Sequence, residues 1–126
     1  MASELRVNTL KDAAGNNSIA TSFVAGGSAK AWVHFDQSDH SADASLNISS
    51  ITDSGAGRSD PVFANSFSSI EFCAVGSQSG STDIDRVLAG PLGSGGGSKG
   101  FIRCRNTSGS DVDTDNVSYE CLGDLA

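Results

Sequence analysis

Lys30-Ala31-Trp32-Val33-His34-Phe35-Asp36 is the stretch from which the fold is read. Its residues alternate in the period of two that marks a strand, with Ala31, Val33 and Phe35 on one face and Lys30, Trp32, His34 and Asp36 on the other. Trp32 is the only Trp of the chain, and with Val33 and Phe35 it is expected to seed the core. Gly26-Gly27 just upstream reads as a hinge. This divides the chain into an extended N-terminal arm, residues 1–27, and a folded domain, residues 28–126.

Downstream, short apolar runs alternate with polar turns. Leu46, Ile48 and Ile51 mark one strand, with a bulge or strand end expected at Ser50-Ile51. Thr52 to Gly57 is a turn, and Pro61 to Asn65 is a short strand with Pro61 at its first position. Ile70 to Val75 and Ile84 to Leu88 follow, then a Gly-rich segment, residues 89–100, expected to be a flexible loop. Phe101–Arg105 and Val117–Leu122 read as two final strands separated by an acidic loop, where a terminal hairpin could set Cys104 facing Cys121. The expectation is an all-β fold, an antiparallel β-sandwich or barrel-like knob of about seven short strands. Its core is expected from Trp32, Val33, Phe35, Leu46, Ile48, Ile51, Phe63, Phe72, Phe101 and Val117.

The arm differs in kind. Leu5, Val7, Leu10, Ile19 and Phe23 are apolar residues scattered through polar sequence, with a turn signal at Ala14-Gly15-Asn16-Asn17. Such a segment either stays disordered, lies on the domain or wraps around sister chains. Leu, Ile, Val and Phe number only 27 in 126 residues, against 37 Ser and Gly. So little apolar area per residue favours burial borrowed from other copies.

Composition narrows the partners. The net charge is −7 and the eight basic residues are scattered, which argues against a nucleic-acid partner. No apolar run approaches the ~18 residues of a membrane span, so no membrane insertion is expected. The N-terminus lacks a signal-peptide core, predicting synthesis in a cytoplasm. There Cys73, Cys104 and Cys121 are expected to be free thiols, most simply small buried hydrophobes.

Catalytic and cofactor signals are weak. Asp111, Asp113 and Asp115 begin like a calcium loop, but Asn116 and Leu122 stand where Gly and a bidentate Glu are needed, which leaves only a weak metal candidate. His34 and His40 lie near Asp36, Asp39 and Asp43 without the spacing of a metalloprotease helix or a nucleophile elbow. Gly93 to Gly100 lacks the Gly-Lys-Ser/Thr ending of a phosphate loop. No catalytic residue and no cofactor is expected.

Several pieces together resemble a known module. Lys30 to Asp36, then Leu46-Asn47-Ile48-Ser49-Ser50-Ile51-Thr52-Asp53-Ser54-Gly55-Ala56-Gly57, resemble a module recurrent in fibre-like structural proteins of marine tailed bacteriophages. There a Lys-Ala-Trp-Val-x-Phe strand leads to an Asn-Val-Ser-Ser-Ile-Thr-Asp-x-Gly-x-Gly turn, then to a strand like Val62-Phe63-Ala64-Asn65. Phe101-Ile102-Arg103 through Asp115-Asn116-Val117-Ser118 is similar to its closing segment, and Leu5 to Leu10 with Ala14 to Ser18 to the segment that often precedes it. The region after Asn65 differs, the loop after Asp36 is more acidic, and three Cys stand where apolar residues are usual.

The resemblance implies a non-enzymatic virion protein: a homotrimeric short fibre, spike or head-decoration (cement) protein, or a tail-fibre component. Its partners would be capsid or tail proteins, with a host cell-surface glycan as a further target of the knob. A reading of another class is a free-standing carbohydrate-binding module with Trp32 or Tyr119 as its stacking platform.

Overall fold

The computed structural model describes residues 6–80 and 83–126, so Leu5 lies outside the described residues. The fold is all-β, with ten strands and one short helix among the described residues. Eight strands form two four-stranded antiparallel sheets. The first has the order β4 (Ala42–Leu46), β3 (Ala29–Phe35), β10 (Val117–Leu122), β7 (Cys73–Gln78). The second has the order β5 (Ile48–Asp53), β6 (Arg58–Phe63), β9 (Gly100–Asn106), β8 (Ile84–Pro91).

The chain changes sheet at both sandwich edges. Between β4 and β5 a single residue, Asn47, makes the switch with φ +56°, a region Asn tolerates better than most side chains. Its amide and carboxamide oxygen hold the end of β6, accepting from Asn65 N–H at 2.7 Å and donating to Asn65 O at 3.0 Å. At the other edge β7 passes to β8, and Gly76 lets the sheets close. A Cβ there would lie 2.7 Å from Ile102 Cδ1 and 2.9 Å from Ala89 Cβ.

Between the sheets, Ala31, Val33, Phe35, Val117, Tyr119 and Cys121 of the first meet Phe63, Ile102 and Cys104 of the second, all 5% exposed or less. Where β10 ends, Phe63, Phe67 and Phe72 form an aromatic cluster with ring centroids 4.4–5.6 Å apart. At the opposite end the core closes with polar groups. Gln37, fully buried, donates to Ser59 Oγ and accepts from Thr114 N–H, each at 3.2 Å. Those bonds satisfy groups that burial would otherwise penalise.

Several expectations change. Trp32 and Leu46 are not core: they pair across the ladder on the outer face and are 37% and 48% exposed. Alternation had placed Trp32 opposite Phe35, and Phe35 took the inside. Ile48 and Ile51 pack on the core only partly buried, and Phe101 is half-buried on the outer face of its strand. β9 and β10 are not a hairpin: they lie in opposite sheets, and Cys104 and Cys121 both point inward as free thiols. The polar loop between them has length enough to cross the sandwich.

Pro61 sits inside β6 rather than at its start. It occupies a gap in the β6–β9 ladder, which pairs Arg58 and Ser59 and then resumes only at Val62–Lys99, so the missing N–H is tolerated. Ala42–Leu46 is a strand of its own, so Leu46 belongs to β4 and not to the strand of Ile48 and Ile51, while Ile70 lies outside β7. The register shift in β5 falls between Ile48 and Ser50.

Residues 89–100 carry regular structure rather than forming one open loop. Ala89 to Pro91 complete β8, and Gly93–Gly95 make a 3₁₀ turn. Gly97, at φ +88°, receives the Phe67 N–H on its carbonyl, and a Cβ on it would lie 2.5 Å from Phe67 O.

The arm is not extended. β1 (Thr9–Lys11) pairs with β2 (Ser18–Ala20), placing Leu10 opposite Ile19. Asp12 anchors the turn, accepting from Asn16 N–H at 3.0 Å and Asn17 Nδ2 at 2.7 Å, and these bonds lower its pKa. The Ala14 to Asn17 turn falls where it was expected. Helix α1 (Thr21–Gly27) follows, its first residue tied back by Thr21 Oγ1 to Val7 O at 3.1 Å. Two glycines in seven residues hide it from any periodic reading. It is too short to cross a membrane.

Candidate functional site

Two surfaces stand out, and they lie on different parts of the chain. The arm joins the sandwich at Ala29, beside Leu122 and the Phe67–Phe72 cluster. The connections at residues 36–41, 54–57 and 107–116 all lie at the opposite end, because β3 and β9 run toward it and β6 and β10 start from it. The molecule therefore has an arm end and a loop end.

On the arm, Val7, Leu10, Ile19, Phe23 and Val24 are 40–72% exposed, Phe23 most of all. A hairpin of two short strands is marginal in water without a covering layer. These side chains make an apolar surface that the sandwich leaves in solvent.

The second surface is a groove of about 440 Å³ on the outer face of the first sheet. Trp32 faces Glu120 across the ladder, and Glu120 faces Val75 on the next strand. One pair further along, His34, Ser118 and Ser77 form a polar row. Leu46 and Val75, 48% and 54% exposed, flank this surface. An aromatic ring with a carboxylate, an imidazole and two hydroxyls around it can stack on a sugar and bond its hydroxyls.

His34 Nδ1 is 3.0 Å from Ser118 Oγ, and its Nε2 is 3.8 Å from Asp43. β10 is paired on both sides, so its own backbone N–H groups are engaged in the ladders.

His40 is not brought to His34. It lies in the β3–β4 turn at φ +54°, its Nε2 buried without a hydrogen bond and 3.8 Å from Asp53.

The Asp111–Asp115 loop does not make a metal site. Asp111 is ringed by arginines: Arg103 donates to both its oxygens at 2.8 and 2.7 Å, Arg105 to Oδ1 at 3.0 Å and Arg58 to Oδ2 at 2.9 Å. The Arg103 bonds hold its carboxyl well below the usual carboxylate range, with Arg105 and Arg58 adding to the effect. Asp113 accepts the Gly57 N–H at 2.7 Å. Among the described residues no group of three or more His, Cys, Asp or Glu could hold a metal ion. A triplet of Asp at alternate positions looks like a cation loop until its partners are known, and Arg58 is 53 residues away.

No family model, curated protein or solved structure matches the chain.

Proposed function

We propose that the chain is a non-enzymatic structural protein of a tailed-bacteriophage virion: a short homotrimeric fibre or spike, or a head-decoration protein. The arm joins copies to one another or to a capsid or tail protein, and the loop end of the sandwich faces outward. The observation that carries this reading is the arm, a folded hairpin and helix with Val7, Leu10, Ile19, Phe23 and Val24 largely exposed. The resemblance of the Trp32 strand and the Ile51–Gly57 turn to the phage module supplies the context. A surface of this kind is stabilised when neighbouring copies cover it.

Light scattering tests the reading on the full chain. A trimer is expected, with Ile19→Asp/Phe23→Asp shifting it to monomer while the β-sheet spectrum is kept. A monomer for the unaltered chain at tens of micromolar, in buffers from low to physiological salt, would break it.

A second reading is favoured by Trp32 lying in an open polar groove rather than in the core: a carbohydrate-binding module. Titration of neutral glycans against Trp fluorescence tests it. A saturable change lost in Trp32→Ala supports this reading, and an unresponsive Trp32 across a broad glycan panel sinks it.

A further inference from the structure

The outer face of the second sheet gathers four arginines on a chain that is acidic as a whole. Arg58 of β6 lies across the ladder from Arg103 of β9, and Arg105 of β9 lies across from Arg86 of β8. Like charges in directly opposed positions repel. Asp111 relieves part of this by bonding three of the four guanidiniums at once. Asp60, on the same face of β6 as Arg58, is a further nearby carboxylate and accepts from Ser54 Oγ at 2.6 Å. Four arginines thus gather on this face of a chain of net −7, with Asp111, Asp60 and, beside Arg86 in β8, Asp85 as the carboxylates.

The geometry of the cluster is directional. Asp111 takes only the Nε edge of Arg58 and of Arg105, so each keeps both terminal nitrogens for another acceptor. Arg103 gives it Nε and one terminal nitrogen and keeps the other. The carboxylate thus works as a template that sets planar donors at fixed angles, with Arg58, Arg103 and Arg105 side chains 47%, 26% and 28% exposed. Preorganised guanidiniums are the groups that recognise oxyanions by paired hydrogen bonds. Beside them lies a groove of about 270 Å³ where Arg58 and Arg103 meet the Phe101 ring, Leu92 and the Ser54–Asp60 pair.

We propose that this groove binds an oxyanion, a carboxylate or a sulfate ester, carried on a ligand the size of one sugar residue. The anion bridges Arg58 and Arg103, the ligand's apolar face rests on Phe101, and its hydroxyls reach Asp60 and Ser54. The site is distinct from the Trp32 groove, lies within one copy, and does not depend on the assembly proposed above.

Sodium sulfate titrated into the full chain, against sodium chloride at matched ionic strength, tests it through the Nε–Hε NMR signals of the arginines. Saturable one-site shifts at Arg58, Arg103 and Arg105, with Arg6 unmoved, are expected. Arg58→Gln should weaken binding about tenfold, the loss of one charged hydrogen-bonding partner. Glucuronate and galactose 6-sulfate distinguish the sources: whichever binds more tightly than inorganic sulfate identifies a carboxylate or a sulfate ester. If neither does, a sugar-sized ligand is overturned. Equal shifts in sulfate and chloride overturn the site altogether, and this titration of the unaltered protein decides even if Arg58→Gln fails to fold.

Discussion

The sandwich buries a set of apolar side chains completely and the described arm residues bury none, although the sandwich also exposes Leu46 and Val75 on its outer face. In the sandwich, Ala31, Phe35, Cys104, Val117 and Cys121 are fully buried, and every large partner is supplied by the same chain. In the arm, Leu10 and Ile19 face each other and are still 44% exposed, and Phe23 is 72% exposed. The arm has the backbone bonds of a folded element without the covering layer that normally stabilises one. The scarce apolar residues of this chain are divided between a buried core and an arm that leaves its own exposed. On the proposed reading, stability is decided in the sandwich and association in the arm.

The largest effect is expected where β10 meets β9 and β8. Tyr119 is buried over Gly100 and donates its hydroxyl to Gly90 O at 2.9 Å. A Cβ on Gly100 would lie 1.9 Å from that hydroxyl oxygen, so the ring must move and the bond must break. Gly100→Ala should cost roughly 3 kcal/mol by overpacking, read from the denaturant midpoint. An unchanged midpoint would mean that the two sheets are not held together there. Gln37→Leu is expected to cost less, about 2 kcal/mol, because it strands Thr114 N–H and the Ser59 hydroxyl without partners. Neither change should alter the oligomeric mass if the arm alone governs association.

The core thiols mark the same boundary chemically. Burial pushes Cys104 up to about 11 and Cys121 up to about 12, whereas Cys73 lies exposed at the start of β7. At pH 8, one thiol per folded chain should react quickly with a disulfide reagent, and Cys73→Ser should remove it. The other two should react only on unfolding, since the thiolate is the nucleophile. Their folded pKa values stand above the unfolded ones, so this contribution to stability is complete below about pH 8.5 and lost as pH rises toward 11–12. At the acidic side Asp111 works in the other direction: its depressed pKa contributes stability above the ordinary carboxylate range that fades as pH falls through and below it. Asp111→Asn should flatten that acid limb.

Much of the sandwich was legible because strand faces are local. The alternation of Ala31, Val33 and Phe35 and the turn at Gly55 and Gly57, both in positive φ, needed no partner to be read. Which face of β3 carried the core was not local. Trp32 is larger than Val33, and its exposure follows from Leu46 and Glu120 lying beside it, which neighbouring sequence does not announce. The same holds for β9 and β10, adjacent in sequence but in different sheets. The Asp111 cluster was half visible: Arg103 and Arg105 share a strand face by their spacing, but Arg58 arrives through the fold. Helix α1 was invisible because Thr21 is held by the backbone of residues 7 and 8, a contact no helical pattern encodes.

The smallest expected effect is the sharpest test of the division. Phe23 is the most exposed of the large apolar residues among the described ones, on a helix with no buried side chain. If the arm adds nothing to the sandwich, Phe23→Ala should move the denaturant midpoint of dilute protein by less than about 0.5 kcal/mol, as an exposed surface change does. At high concentration the same substitution should lower the apparent stability further, because association of folded copies raises stability by mass action and Phe23 would no longer contribute to it. A midpoint independent of concentration in both proteins would show that the arm's apolar surface is not covered by sister chains. A large loss in dilute protein would instead place Phe23 within the folding unit of a single chain, and the division between core and arm would fail.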